Sequence, residues 1–261
     1  MSRTINLWSK TIPYNDTENI FVPKLEEYVA DSKGAVILFP GGSYAAKMEH
    51  EGLTMAKWLN SIGITSFVAD YRVAPYKHPA ELSDAQRAVR YVRANSDKYG
   101  IDKRKIAVMG FSAGGHLAGS VSVHYDKKFY EPTDEIDKVS ARPDATILGY
   151  SVIDMHEYRD DFSRSNLIGS RPLEKDKDFM SLQLQVNENT PQTFLWHIAE
   201  DPIVPVENTL LYAAALSKNN VPYEMHIYPY GSHGMGLAKD NQHVSQWTVA
   251  LEKWLVINSW K

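Results

Sequence analysis

The sequence predicts an α/β fold in which a mostly parallel sheet is covered by helices on both faces. Short apolar runs alternate with amphipathic stretches from one end of the chain to the other, which is the pattern of strands joined by crossover helices. One of these runs, Ile106-Ala107-Val108-Met109, leads directly into Gly110-Phe111-Ser112-Ala113-Gly114. Gly115 to Gly119 then continues in small and apolar residues, suited to a helix packed closely on a sheet. A strand, a sharp turn carrying a serine and a helix therefore follow one another at the centre of the chain.

The elements follow in order. Thr4 to Trp8 alternates weakly and reads as an edge strand, and residues 20–29 hold a second. Ala35-Val36-Ile37-Leu38-Phe39 is a buried strand that runs straight into Pro40-Gly41-Gly42-Ser43-Tyr44. Residues 51–62 place Leu53, Ala56, Leu59 and Ile62 at helical spacing, with Gly63 as the stop. Ser66 to Ala69 is the next strand. Leu82, Ala85, Ala88, Val89 and Val92 then mark an amphipathic helix whose wet face takes Arg87, Arg90 and Arg93. Residues 125–142 are charged and irregular, a surface excursion, and residues 145–153 are a strand.

Residues 154–190 are polar with scattered apolar residues, among them Met155, Phe162, Leu167, Ile168, Phe179 and Met180. A structureless loop of that length is uncommon, so short helices forming a cap and one wall of a substrate pocket are expected there. Residues 193–199 and 223–228 are the last strands, with a helix over 206–217 between them. Val244, Trp247, Leu251, Trp254 and Leu255 form the apolar stripe of a final helix. There is no repeat or linker, so the whole of 1–261 is expected to be one domain.

Composition narrows the function. The chain is 43% hydrophobic and 23% charged with a net charge of −4, and no basic cluster interleaves with aromatics. That balance gives no case for nucleic acid or an anionic membrane. Cysteine is absent, which removes disulfides and thiolate chemistry together. No run of about 18 apolar residues exists and the start is polar, so a cytoplasmic protein is expected. Glu49-His50-Glu51 lacks a second histidine at metal spacing, so neither metal nor cofactor is expected. His116, one turn into the helix behind Ser112, reads as structural. The oligomeric state is not legible.

A serine hydroxyl needs a base, and the base needs an acid to orient it. With a Gly-x-Ser-x-Gly turn the chain order is serine, acid, histidine. His226 lies inside the last strand and His243 at the start of the final helix, whereas His233 sits in the glycine-flanked loop Tyr230-Gly231-Ser232-His233-Gly234. His233 is therefore the candidate base. Asp201 follows a strand and precedes Pro202, which favours an extended loop end; Asp154 and Glu200 are the competing acids. Backbone donors for an oxyanion are expected from Ala113, after the serine, and from Gly41 and Gly42 in the loop after an upstream strand.

These residues together resemble the α/β-hydrolase superfamily, within it the small esterases related to acetylxylan esterases and other carbohydrate deacetylases. The resemblance covers nearly the whole chain and is carried by LWSKTIPY, FPGGSYAAKMEHEG, DYRVAPYKHPAELSDAQRAVRYVR, GFSAGGHLAG, AEDPIVPVEN and GSHGMGLA. The form of Asp201 to Pro205 matches the acid loop of that family and favours Asp201 over Asp154. Pro40 stands where many esterases have histidine, Ser43 where they have a third glycine, and Ser151 where relatives often have proline. That leaves the oxyanion donors to be chosen among Gly41, Gly42 and Ser43. The resemblance implies a small-molecule or oligosaccharide ester as substrate, and removal of acetyl groups from sugars.

Overall fold

The computed structural model describes residues 3–9, 11–15 and 20–261. Met1, Ser2 and Lys10, part of the polar start and of the LWSKTIPY stretch, lie outside them. In chain order the elements are β1 (Arg3–Asn6), β2 (Lys24–Tyr28), β3 (Ala35–Phe39), α1 (Leu53–Ser61), β4 (Thr65–Asp70), α2 (Ala80–Ala94) and α3 (Ser96–Tyr99). Then come β5 (Ile106–Phe111), α4 (Ser112–Val123), β6 (Ala145–Gly149), α5 (Asp161–Ile168) and α6 (Glu174–Met180). The last are β7 (Gln192–Ile198), α7 (Glu207–Lys218), β8 (Tyr223–Tyr228) and α8 (Gln246–Ile257). Short 3-10 turns occupy Glu49–Glu51, Glu135–Lys138 and Leu182–Leu184.

The strands form one sheet in the order β1-β2-β4-β3-β5-β6-β7-β8. β1, β2 and β4 pair antiparallel, and every pair from β4 to β8 is parallel. All residues of β3, β5 and β6 are buried, as parallel strands covered on both faces require. On one face, Val89, Leu117, Val121, Tyr212 and Leu216 bring α2, α4 and α7 onto the sheet. On the other, Met55, Leu59, Trp247, Leu251 and Leu255 bring α1 and α8. The register sets Phe39 beside Gly110 and Phe111 beside Gly149, so the C-terminal ends of β3, β5 and β6 open on one edge. In open parallel sheets that edge is where ligands bind.

Two expectations change. Arg87 is buried, not on a wet face: it donates to Asp134 at 2.6 Å and Asp137 at 2.9 Å. The charged excursion folds back over α2, and its acids supply the partners that a buried guanidinium needs. β6 also ends at Gly149 rather than at residue 153, because Tyr150 takes a left-handed backbone (φ 35) that breaks the ladder.

The segment 154–190, which holds α5 and α6, is anchored into the core. Met155, Leu167, Met180 and Leu182 are buried with α4 and α7. A histidine of α4 and the one that follows the helix fasten the end of α6: His116 Nε2 donates to the Met180 carbonyl at 2.8 Å, and His124 Nε2 to that of Phe179 at 2.9 Å. His116 Nδ1 accepts from Tyr44 Oη at 2.8 Å, so both its nitrogens serve the fold. Burial pushes both imidazoles down to about 4, outweighing the carbonyl bonds. The unfolded chain, with histidines near pH 6.5, then binds more protons than the folded one between pH ~6.5 and ~4. Stability is therefore intact above that window and lost as pH falls through it, by up to about 3 kcal/mol per histidine. The expected result is a melting temperature that drops on acidification, with a shallower drop in His116→Gln. Equal pH slopes for the two proteins would contradict it.

Among the described residues, no helix is long and apolar enough to cross a membrane.

Candidate active site

Ser112 begins α4 at the end of β5 with φ 51, a left-handed conformation that a serine adopts only when the surroundings impose it. They do so through close packing: a Cβ on Gly114 would overlap the Phe39 carbonyl oxygen at the end of β3. The turn thus lifts the Ser112 side chain to the open edge, and the residue is only 7% exposed. His233 Nε2 lies 2.9 Å from Ser112 Oγ, and His233 Nδ1 lies 2.7 Å from Asp201 Oδ2. With Nδ1–H donated to the carboxylate, the Nε2 lone pair is left to accept the serine proton.

Asp201 follows β7, and its other oxygen accepts the N–H groups of Ile203 at 2.9 Å and Val204 at 3.0 Å. Burial alone would raise its pKa, but hydrogen bonds from His197, His233 and the Val204 N–H outweigh it and hold the carboxyl well below the usual range. Asp201 is therefore ionised through the neutral range. The alternatives are engaged elsewhere. Asp154 accepts from the Tyr158 N–H and from Gln183, Glu200 is exposed, and His226 pairs with Glu224.

The oxyanion loop needs one correction. The Gly41 N–H is not free: it donates to Glu51 Oε2 at 2.7 Å. Among the described residues, the N–H groups of Gly42, Ser43 and Ala113 have no acceptor. Gly42 and Ser43 line the same cavity as Ser112, and Gly42 sits at φ 136, which glycine alone adopts readily. Of the expected donors Gly42 and Ala113 remain available, and Ser43 stands in place of Gly41.

That cavity holds about 370 Å³ and is lined by Gly42, Ser43, Met48, His50, Glu51, Ser112, Ile203, His233 and Gly234. None of its lining residues comes from 154–190, so the expectation that this segment walls the pocket is not met. Met155, Leu167, Met180 and Leu182 of that segment pack in the core with α4 and α7 instead, while Phe162 is exposed, and the segment's link to the site is Asn166 Nδ2 donating to the Ser43 carbonyl at 2.8 Å. Met48 and Ile203, both half-exposed, provide the apolar wall.

With this geometry in place, the family becomes clear. Residues 19–216 match the BD-FAE family model. The chain belongs to the BD-FAE family. The matched span includes the loop from Pro40 to Tyr44, Ser112 and Asp201, while His233 lies beyond it. This BD-FAE chain is 46% identical to an acetyl ester-xyloside bifunctional hydrolase from Caldicellulosiruptor lactoaceticus, over 99% of this chain and 97% of that one, with a TM-score of 0.95. It shares 35% identity over 250 residues with endo-1,4-beta-xylanase B of Butyrivibrio fibrisolvens, covering 93% of this chain and 39% of that protein. With the acetylxylan esterase of Xylanibacter ruminicola it shares 30% over 227 residues, 85% of this chain and 45% of that protein. The chain thus spans less than half the length of these two curated relatives. Its sheet order and serine turn are those of the α/β-hydrolase fold.

His156, Glu174 and Asp178 are the titratable residues of this BD-FAE chain that cluster at metal-ligand range among the described residues. Each ring nitrogen of His156 already faces a carboxylate, at 3.3 and 2.9 Å, so the group reads as an exposed ion-pair cluster. The sequence weighs Glu51 only as a metal ligand and does not single out Tyr150, yet Glu51 lines the cavity and the Tyr150 hydroxyl donates to its carboxylate at 2.7 Å. No local pattern connects them, since they are 99 residues apart.

Proposed function

We propose that this protein is a serine esterase that removes short acyl groups, acetyl foremost, from acetylated sugars such as xylo-oligosaccharides. The observation that carries the reading is the Ser112–His233–Asp201 relay, at 2.9 and 2.7 Å, opening on the same cavity as the free Gly42 N–H. In the proposed mechanism Ser112 Oγ attacks the ester carbonyl while His233 Nε2 takes its proton. Gly42, Ser43 and Ala113 N–H groups receive the developing oxyanion, and His233 returns the proton to the leaving sugar hydroxyl. Water then repeats the sequence on the acyl-enzyme, releasing acetate. The sugar ester is supported by the likeness to a protein named as an acetyl ester-xyloside hydrolase and to an acetylxylan esterase.

The test is acetate release from acetylated xylobiose, compared with a nitrophenyl acetate and an aryl formamide at equal enzyme. A kcat/KM highest for the acetylated sugar supports the reading. A preference for the nitrophenyl ester identifies a general short-chain carboxylesterase, and a preference for the formamide an amidase.

Met48 and Ile203 should set acyl length. Met48→Ala or Ile203→Ala is expected to improve kcat/KM for nitrophenyl butyrate relative to acetate by roughly tenfold, the worth of one or two methylenes in an apolar pocket. An unchanged ratio in both variants would move the acyl wall elsewhere.

A further inference from the structure

Glu51 is the buried acid at the site that the proposed mechanism leaves unused. Its side chain is 3% exposed, and no Lys or Arg pairs with it among the described residues. Burying a carboxylate is costly unless its oxygens are satisfied. Here each oxygen meets a donor: the Gly41 N–H reaches Oε2 at 2.7 Å, and Tyr150 Oη donates to Oε1 at 2.7 Å. Tyr150 Oη in turn accepts the Gly236 N–H at 3.1 Å, three residues beyond His233. The Tyr150 ring stands edge-on to the His233 ring at 4.9 Å. One carboxylate therefore joins the oxyanion loop to the loop that carries the base.

The peptide between Pro40 and Gly41 is gripped at both ends. Its N–H is held by Glu51, and its carbonyl accepts from Tyr71 Oη at 2.5 Å. In the next peptide the Gly41 carbonyl accepts the Met48 N–H at 3.0 Å. A trans peptide then turns the Gly42 N–H to the opposite side, away from Met48 N. Fixing these two planes fixes the direction of the proposed oxyanion donor.

We propose that Glu51 is a positioning residue that holds the oxyanion loop and, through Tyr150, the His233 loop in reactive register. The proposal rests on the serine-esterase reading above. Only an acceptor-only group serves both partners, because the Gly41 N–H and the Tyr150 hydroxyl both point protons at it. A glutamine of the same size accepts from only one of the two: its amide nitrogen turns to the other, so either the Gly41 N–H or the Tyr150 hydroxyl proton loses its acceptor.

The experiment measures kcat and KM for nitrophenyl acetate in Glu51→Gln and Tyr150→Phe, per active site titrated with a fluorophosphonate and well below each melting temperature, with Ser112→Ala, which has no site to titrate, compared per mole of folded protein. E51Q is expected to lower kcat about 100-fold with little change in KM, the scale of losing an oxyanion donor. Y150F, which leaves the Gly41 bond in place, is expected to lose about tenfold. A merely structural role would lower the melting temperature and the titratable fraction, but leave kcat per titrated site unchanged. E51Q with kcat within about threefold of wild type, while Ser112→Ala is inactive, overturns the proposal and leaves the esterase reading standing. If E51Q does not fold, an unchanged kcat in Y150F overturns it. Activity retained in Ser112→Ala, with no labelling of wild type at Ser112, removes the reading and the proposal together.

Discussion

Replacing Ser112 by alanine is expected to lower kcat by roughly 10⁴–10⁶ while leaving the fold intact, because nucleophile, base and acid act as a unit. The magnitude follows from the lack of a substitute. Ser43 lines the same cavity, but no imidazole bonds its hydroxyl among the described residues, and Ser151, just past β6, gives its hydroxyl to the Gly149 carbonyl at 3.2 Å and packs against Gly115. Loss of the Ser112 hydroxyl removes no buried partner besides His233 Nε2, so the melting temperature should change little. Circular dichroism and acetate release measured on the same preparation check both halves.

Asp201→Asn is the second large effect, with an expected loss in kcat of about 10⁴. The asparagine oxygen can still accept the Ile203 and Val204 N–H groups, so the acid loop should keep its shape. Its amide nitrogen would instead face His233 Nδ1. That forces the proton onto Nε2, where it blocks acceptance of the Ser112 proton. Loss of activity with a preserved melting temperature is the expected outcome. A variant retaining a tenth of wild-type kcat would show that another group orients the imidazole.

The inner sheet was legible because parallel strands covered on both faces are near-continuous apolar runs, as in Ala35–Phe39 and Ile106–Phe111. The grouping of Ser112, Asp201 and His233 was legible because strand, turn and loop positions carry their own local signals. What lay outside reach depends on partners distant in sequence. The polar face of α2 is covered because Arg87 meets Asp134 and Asp137, a pairing that no helical period reports. Residues 154–190 were expected above the site because their apolar residues needed something to cover. What they cover is α4 and α7, and the carbonyl bonds from His116 and His124 hold them there. Gly41 looked like an oxyanion donor because it is a glycine in the expected loop. A single hydrogen bond from its N–H to Glu51 occupies that donor and leaves the proposed role to Gly42 and Ser43, which only the folded position of Glu51 decides.

The proposed acyl transfer through Ser112 is tested most directly by trapping the intermediate. The enzyme would be mixed with acetylated xylobiose, quenched in acid during turnover, digested with trypsin and sequenced by fragmentation mass spectrometry. The peptide running from Ile106 to Lys127 carries Ser112, Ser120 and Ser122, so fragmentation separates the three. Acyl transfer through Ser112 predicts one acetyl group on Ser112, absent before mixing and absent from Ser112→Ala. Acetate released at full rate with Ser112 never acetylated, or with the acetyl group on another residue, would contradict it.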